Sequence, residues 1–273
     1  MLFPIKAISL NLNELLVKET IFRGCDVITS QKSFEKLDSW QLTQVGTHQI
    51  KATNLKKKIS IEIKIARLKS KVRSINFRFF DQRDKPFFDA RVDKRCRILR
   101  ARLIERGNKN KVLKIISLDN ELKNIIEIYD PNPPVPFTLL KNIIRSPTTF
   151  TAIIDTGINY TLPVFYQNIA VDRSGNLLGF DFWDNDNFPF DNDPRSNPFY
   201  PRHHGTAVFS VISSEAPKSN IAVYRFPADD MCKFKELIDH IAKNKIRVVN
   251  LSMGSKSRDE WRCFEKAALN HSN

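Results

Sequence analysis

No apolar run in the 273 residues approaches the length of a membrane span, which excludes a helical membrane-spanning class for these residues. The four cysteines, Cys25, Cys96, Cys232 and Cys263, lie far apart, with no CxxC and no Cys/His pair. A zinc site assembled from close ligand pairs is therefore excluded. An even count permits two disulfides, but nothing in the spacing argues for them, and four isolated thiols is the plainer expectation. The N-terminus, MLFPIKAISLNLNELLVKET, has one early lysine, broken apolar character and no small-residue cleavage site, so it makes a poor secretory signal. Localisation stays open. There is no internal repeat and no low-complexity tract, and no nucleic-acid-binding motif accompanies the basic residues.

What is present is a chain of ordinary globular composition, 41% hydrophobic and 27% charged, with a net charge of +14 that is unevenly placed. Residues 1–130 carry 28 Lys and Arg against 15 Asp and Glu, while residues 131–273 carry 16 against 15. The change of composition falls at PNPPVPF, residues 131–137, where four prolines forbid a helix and favour a stiff connector. Three segments follow as expectations: a basic, mainly β domain over 1–130, a proline-rich linker over 131–147 and a differently built domain over 148–273.

In the first segment KISIEIKIARL (58–68) alternates Ile59, Ile61, Ile63 and Ile65 with polar residues, the period of a half-buried strand. VRSINFRFFD (72–81), CRILRARLIE (96–105) and KVLKIISL (111–118) are further strand candidates, with RGNKN (106–110) as a hairpin turn. Helices are expected around Asn13–Thr20 and Ser33–Leu42. About four or more short strands suggest a small antiparallel sheet or sandwich. From Lys51 to Lys114 there are 22 basic against 6 acidic residues, a positive field that fits either a solvated sheet face or a polyanion-binding surface.

The second segment alternates short apolar strands with helices: FTAIID (150–155), a helix from His204 to Glu215, IAVYRF (221–226), a helix over Met231–Asn244, RVVNLSMG (247–254) and a helix over Arg258–Leu269. That rhythm argues for parallel βαβ units, whose functional groups collect beyond the carboxyl ends of the strands. Asp155 sits at one such end, and Ser252 and Gly254 at another. The nearly continuous apolar run Val248, Val249, Leu251 and Met253 reads as a strand buried on both faces. Two adjacent histidines in PRHHGTAVFSVI (201–212) stand at the mouth of a helix.

AIIDTGI at 152–158, HGTAV at 204–208 and VNLSMGS at 249–255 resemble three successive signatures of the subtilisin-like serine proteases, in the family's order. GFDFWDNDNFPFDNDP (179–194) is similar to the segment that precedes the family's histidine. The resemblance covers about residues 148–273. It implies an α/β fold, namely the N-terminal part of a parallel-sheet subtilisin-like catalytic domain preceded by a small basic β-rich domain. It implies Asp155 as the acid that orients the imidazole, His204 as the base, and Ser252, Met253 and Gly254 as the edge that pairs with an extended polypeptide substrate. His203 is expected to be an exposed turn residue. No cofactor is implied, although some relatives bind calcium near the acidic stretch. That stretch fails as an EF-hand loop, because Phe188 takes a ligand position and no closing Glu follows. Nucleic acid is not an expected partner.

The sequence departs from the family at its end. After AALNHSN there is no Ala-x-Gly-Asn oxyanion motif, and no Gly-Thr-Ser or Gly-x-Ser-x-Gly occurs anywhere. A truncated endopeptidase that is inactive as given is the first expectation. A non-catalytic peptide-binding relative and a polyanion-binding module built on the basic region are the alternatives. The basic region itself reads equally as a pro-segment or an accessory domain.

Overall fold

Isoleucine and phenylalanine at every second position dictate the largest element of the protein. The computed structural model describes residues 13–30, 40–46, 48–107, 111–136, 150–172, 175–227, 231–254 and 258–269, and the chain divides into two compact units, Met1–Asp130 and Pro131–Asn273. In the first unit eight strands pair antiparallel, each with its sequence neighbours: β1 (Trp40–Val45), β2 (Gln49–Asn54), β3 (Ile59–Leu68), β4 (Lys71–Phe80), β5 (Pro86–Asp93), β6 (Ile98–Arg106), β7 (Val112–Leu118) and β8 (Ile125–Tyr129). Ile59, Ile61, Ile63 and Ile65 of β3 are buried on one face, beside Ile75, Phe77 and Phe79 of β4 and Phe88, Ala90 and Val92 of β5. Helix α1 (Asn13–Thr29) joins this core through Val17, Ile21, Cys25 and Ile28, a helical i, i+4 stripe. Burying Val17, Ile21 and Ile28 contributes about 1.5–3 kcal/mol each.

Three of the hairpins share a device. Asp81 Oδ1 accepts the amides of Arg83 and Lys85, Asp93 Oδ1 those of Arg95 and Arg97, and Asp119 Oδ1 those of Glu121 and Lys123. A residue of positive φ follows in each: Asp84, Cys96 and Leu122. An aspartate side chain thus closes the turn that glycine would otherwise make easy.

Among the described residues the second unit holds four strands, β9 (Phe150–Asp155), β10 (Gly179–Asp181), β11 (Asn220–Arg225) and β12 (Val248–Leu251), paired in parallel in the order β10-β11-β9-β12. Three helices accompany them: α2 (His204–Glu215), α3 (Phe234–Lys243) and α4 (Arg258–Leu269). Phe234 of α3 stacks on Phe226 at 4.3 Å and meets Trp261 and Phe264 of α4 at 5.9 and 5.0 Å.

This architecture corrects the expected one. The chain is not a parallel-sheet α/β domain behind a small β module. Its dominant sheet is antiparallel with eight strands, of which the sequence singled out four, and the parallel sheet is four strands of three to six residues among the described residues. A subtilisin-like α/β fold is not established by so small a sheet. β5 escaped notice because an aspartate interrupts it: Asp89, in its middle, is fully buried against Arg78 and Asn76. Of the helix expected over Ser33–Leu42, residues 33–39 lie outside the described residues, and Trp40–Leu42 belong to β1. The turn at 106–110 and the linker at 131–147 also fall partly outside them. Nor is the strand at Val248 buried on both faces. β12 pairs with β9 alone among the described strands, and Val248 and Val249 are 52% and 43% exposed.

The cysteines also differ from expectation. Cys25 is bonded to Cys96, which ties α1 to the β5–β6 turn, and Cys232 is bonded to Cys263, which ties the short 3-10 turn before α3 to α4. Sequence spacing could not show this, because partners 71 and 31 residues apart meet only through packing. Closing loops of that size stabilises by roughly 4 kcal/mol each in the chain-entropy account. Denatured, unreduced protein is expected to show no titratable thiol, and reduction to lower the urea midpoint. Four reactive thiols under those conditions would contradict the pairing.

Candidate active site

The site is built where β9 ends. Asp155 is its last residue, 2% exposed, and its Oδ1 accepts the backbone amide of the next residue, Thr156, at 2.6 Å. The chain turns at Gly157, which has φ +100° and would place a Cβ 2.6 Å from the Phe190 carbonyl oxygen. The turn is lined by the returning segment 189–192. The Ile158 amide donates to the Pro189 carbonyl, the Asp191 amide to the Ile158 carbonyl, and the Asn192 amide to the Thr156 carbonyl.

Helix α2 arrives against this turn with its N-terminus. His204 is its first residue, and its Nδ1 lies 2.9 and 3.0 Å from the two carboxylate oxygens of Asp155. A carboxylate only accepts, so Nδ1 carries the proton and Nε2 is left with a free lone pair in the neutral ring. The His204 side chain is 58% exposed. No serine hydroxyl hydrogen bonds to it among the described residues. Gly205 permits the approach: a Cβ there would stand 2.0 Å from the Gly157 carbonyl oxygen and 3.2 Å from the Asp155 Cβ.

Two groups that the motif reading did not single out fix this geometry. The Thr156 hydroxyl donates to Asp191 Oδ1 at 2.6 Å and accepts the Gly205 amide at 2.9 Å. Asp191, fully buried, accepts the Thr206 amide through Oδ2 at 2.7 Å. It therefore caps α2 from a distance, where a negative charge complements the helix dipole and the unpaired first-turn amides. Burial pushes the Asp191 carboxyl up, and the hydrogen bonds from Thr156 and Thr206 pull it back. His203 is exposed, its Nδ1–H donating to the Asp191 carbonyl oxygen at 2.6 Å, and Asp155 is faced by His204.

The acidic stretch has an internal account. Arg225, the register partner of Asp155 on β11, is 2% exposed. Its Nη1 reaches Asp181 at 2.7 Å and Asp184 at 2.9 Å, its Nε and Nη2 donate to the Asn192 carbonyl oxygen, and it lies 4.7 Å from the centre of the Trp183 ring. Burial pushes the Asp181 carboxyl up, to about 6, against the pull of the Arg225 charge. Asp186 accepts from Asn132, and Asp193 from Arg195. The carboxylates thus face cationic and amide partners within the protein, with Asp181 and Asp184 sharing Arg225. No group of three or more His, Cys, Asp or Glu side chains is gathered for a metal ion among the described residues. The sequence signal for Arg225 was a lone charge closing an otherwise apolar strand.

Ser252, Met253 and Gly254 continue the edge strand β12. The Ser252 amide still donates to the Ile154 carbonyl at 3.3 Å, its hydroxyl accepts from Asn250, and Gly254 is exposed with nothing near its Cβ position. No helix among the described residues is long and apolar enough to cross a membrane.

Among curated proteins, none matches the sequence. Two crystal structures overlap it weakly. TarM is 11% identical with a TM-score of 0.22, over 93% of this chain and 64% of that one. An S. aureus TarM mutant in complex with fondaparinux, alpha-GlcNAc-glycerol and UDP is 10% identical with a TM-score of 0.20, over 96% of this chain and 67% of that one. At these scores neither carries a fold or a function to this chain. The stretch that holds Asp155, His204 and Ser252–Gly254 is a different matter: residues 147–272 match the sequence model of the Subtilase family, the peptidase S8 serine proteases.

Proposed function

We propose that residues 148–273 carry the acid and base of a subtilase-type serine endopeptidase, with Asp155 as orienting carboxylate, His204 as general base and Ser252–Gly254 as the edge that pairs with an extended polypeptide. The observation that supports this most is the His204 ring held through Nδ1 by buried Asp155 while more than half of the side chain faces solvent. A base that must take a proton from a hydroxyl and return it to a leaving amine needs one fixed tautomer, and a carboxylate on the far nitrogen provides it. These residues offer no serine in the family's nucleophile motif. The chain as given is therefore expected to be an oriented base without a nucleophile, and to hydrolyse nothing.

Two measurements test this. Nitrogen-15 spectra of the neutral His204 ring should show the proton on Nδ1, and Asp155→Asn should redistribute it. A proton on Nε2 in the unsubstituted chain would remove Asp155 from its role. A fluorophosphonate serine probe and an unstructured protein substrate should meet no reaction. Labelling and cleavage lost in His204→Ala would instead reveal a nucleophile outside the family's motif. The edge of β12, paired with β9 alone among the described strands, supports a second reading, a non-catalytic peptide binder, which binding of an extended peptide without cleavage would favour.

A further inference from the structure

The two disulfides are set in different surroundings. Cys25 is fully buried in the core of the large sheet and bonded to half-buried Cys96. Cys232 is exposed, and its partner Cys263 is half-buried. Thiol–disulfide exchange needs access to one of the two sulfurs, so burial shields the first bridge and exposure leaves the second open to attack. The second bridge also has a telling position. Cys232 lies on the short 3-10 turn Met231–Lys233, in the connection that leaves β11, and Cys263 on α4, in the connection that leaves β12. β9, with Asp155 at its tip, lies between those two strands. The bridge therefore joins the segments that border the candidate site on either side.

Helix α4 depends on this tie. Arg258, Asp259, Arg262, Glu265, Lys266 and Leu269 all face solvent. Inward, Ala267 is buried, and Trp261 and Phe264 are half-buried against Phe234 of α3. A helix of 12 residues is marginal without tertiary contacts, so a covalent tie weighs heavily in holding it. Its state reaches the edge by packing. Leu251 and Met253 lie on the same apolar cluster as Trp261 and Phe264. β12 has little else to fix it: it pairs with β9 alone among the described strands, over four residues. Loosening α4 therefore loosens the residues that set Ser252–Gly254 in place.

We propose that Cys232–Cys263 is a redox latch on the Ser252–Gly254 edge, opened by a dithiol while Cys25–Cys96 stays closed. What the latch regulates rests on the reading of that edge as the strand that pairs with peptide. In the opening step one thiolate of the dithiol attacks Cys232 Sγ and forms a mixed disulfide, and Cys263 Sγ leaves as a thiolate and takes up a proton. The second sulfur of the dithiol, as thiolate, then displaces Cys232 Sγ, which is protonated in turn. Two electrons pass to the protein, the dithiol becomes a cyclic disulfide, and the two protons it loses end on the two cysteines. Closed, the bridge limits how far α4 can leave α3. Open, α4 rests on its ring contacts and Ala267, and the edge becomes a low-stability segment that opens without the rest of the unit.

Timed reduction of the full chain with dithiothreitol, quenched by alkylation and mapped by mass, tests the selectivity, and amide exchange tests the consequence. Cys232 and Cys263 are expected to be alkylated roughly tenfold sooner than Cys25 and Cys96. With that bridge alone open, exchange over 248–254 and 258–269 should quicken roughly tenfold, while 13–29 and 204–215 stay as they were. The double variant Cys232→Ser, Cys263→Ser should show the same exchange without reductant, which separates the bridge from other effects of the reagent. Simultaneous opening of both bridges would overturn the latch, as would unchanged exchange in α4. Exchange quickened throughout the second unit would make the bridge a structural staple and overturn the latch equally. A fluorescein-labelled decapeptide of alternating alanine and threonine keeps the two readings apart. Binding by the oxidised chain that weakens several-fold on reduction supports both. No binding by the oxidised chain counts against the edge reading, and the exchange result then decides the latch on its own.

Discussion

Arg225→Met is expected to destabilise the second unit by about 3–5 kcal/mol, the cost of leaving a buried carboxylate without its cation. Against a net stability of about 5–15 kcal/mol that is enough to unfold much of the population under mild denaturant. The guanidinium does three things at once: it answers Asp181 and Asp184, ties down the Asn192 carbonyl and lies over Trp183. Methionine replaces only the volume. The deficit should depend on pH with a defined sign. Asp181 already sits above its ordinary value, and losing Arg225 raises it further. The folded variant then holds that proton to a higher pH than the unfolded chain, so stability is greatest in acid and is lost as pH rises through the raised value. Urea titrations at pH 5 and pH 8 should show the larger deficit at pH 8, and adding Asp181→Asn should recover part of it. A variant within 1 kcal/mol of the parent at both values would show that the arginine is not what holds this segment.

Gly205→Ala should disturb the site through a single methyl group. Its Cβ would stand 2.0 Å from the Gly157 carbonyl oxygen, a backbone atom that cannot rotate away. The first turn of α2 must retreat from the end of β9, carrying His204 from Asp155 and the Gly205 amide from the Thr156 hydroxyl. Overpacking of this kind costs about 1–3 kcal/mol. Alanine is the better helix former, so a purely local propensity effect would have the opposite sign. The checks are the denaturation midpoint and the His204 tautomer together. Ser210→Ala, on the exposed side of the same helix, should stay within about 0.5 kcal/mol. An unchanged tautomer and midpoint in Gly205→Ala would mean that the close approach is not required.

How far the sequence could be read depended on where each residue's partner lies. β3, β4, β6 and β7 were visible because their apolar residues alternate along the strand itself. β5 was not, since Pro86 opens it and Asp89 stands in its middle, and the groups that satisfy Asp89 come from β4. Phe34, Leu37 and Trp40 are spaced as on a helix, yet Trp40 begins β1, where pairing with β2 decides the conformation. Asp155 and His204 were legible through short motifs, whereas Asp191 does its work only because the backbone at 189–192 runs beside 156–158. Nothing in FDNDP names the helix it caps. The parallel order of the second sheet was suggested by the alternation of strands and helices, but its small extent, and the exposed Val248 and Val249 at its edge, follow from tertiary pairing alone.

The two sheets also imply different histories for the chain. In the first unit the described strands pair only with their neighbours in sequence, so each hairpin can close over a short loop and then extend the one already formed. Such local pairing is fast and can proceed as the chain emerges during synthesis. In the second unit β9 lies between β11 and β12, and β10 reaches the sheet only through β11. β9 must therefore wait for chain made much later, with both closures over long loops whose entropy is lost before any strand bond is gained. Asp155, at the tip of that waiting strand, acquires its histidine late. The first unit is the part that assembles on its own schedule, and the candidate site is set only when the last parallel strands arrive.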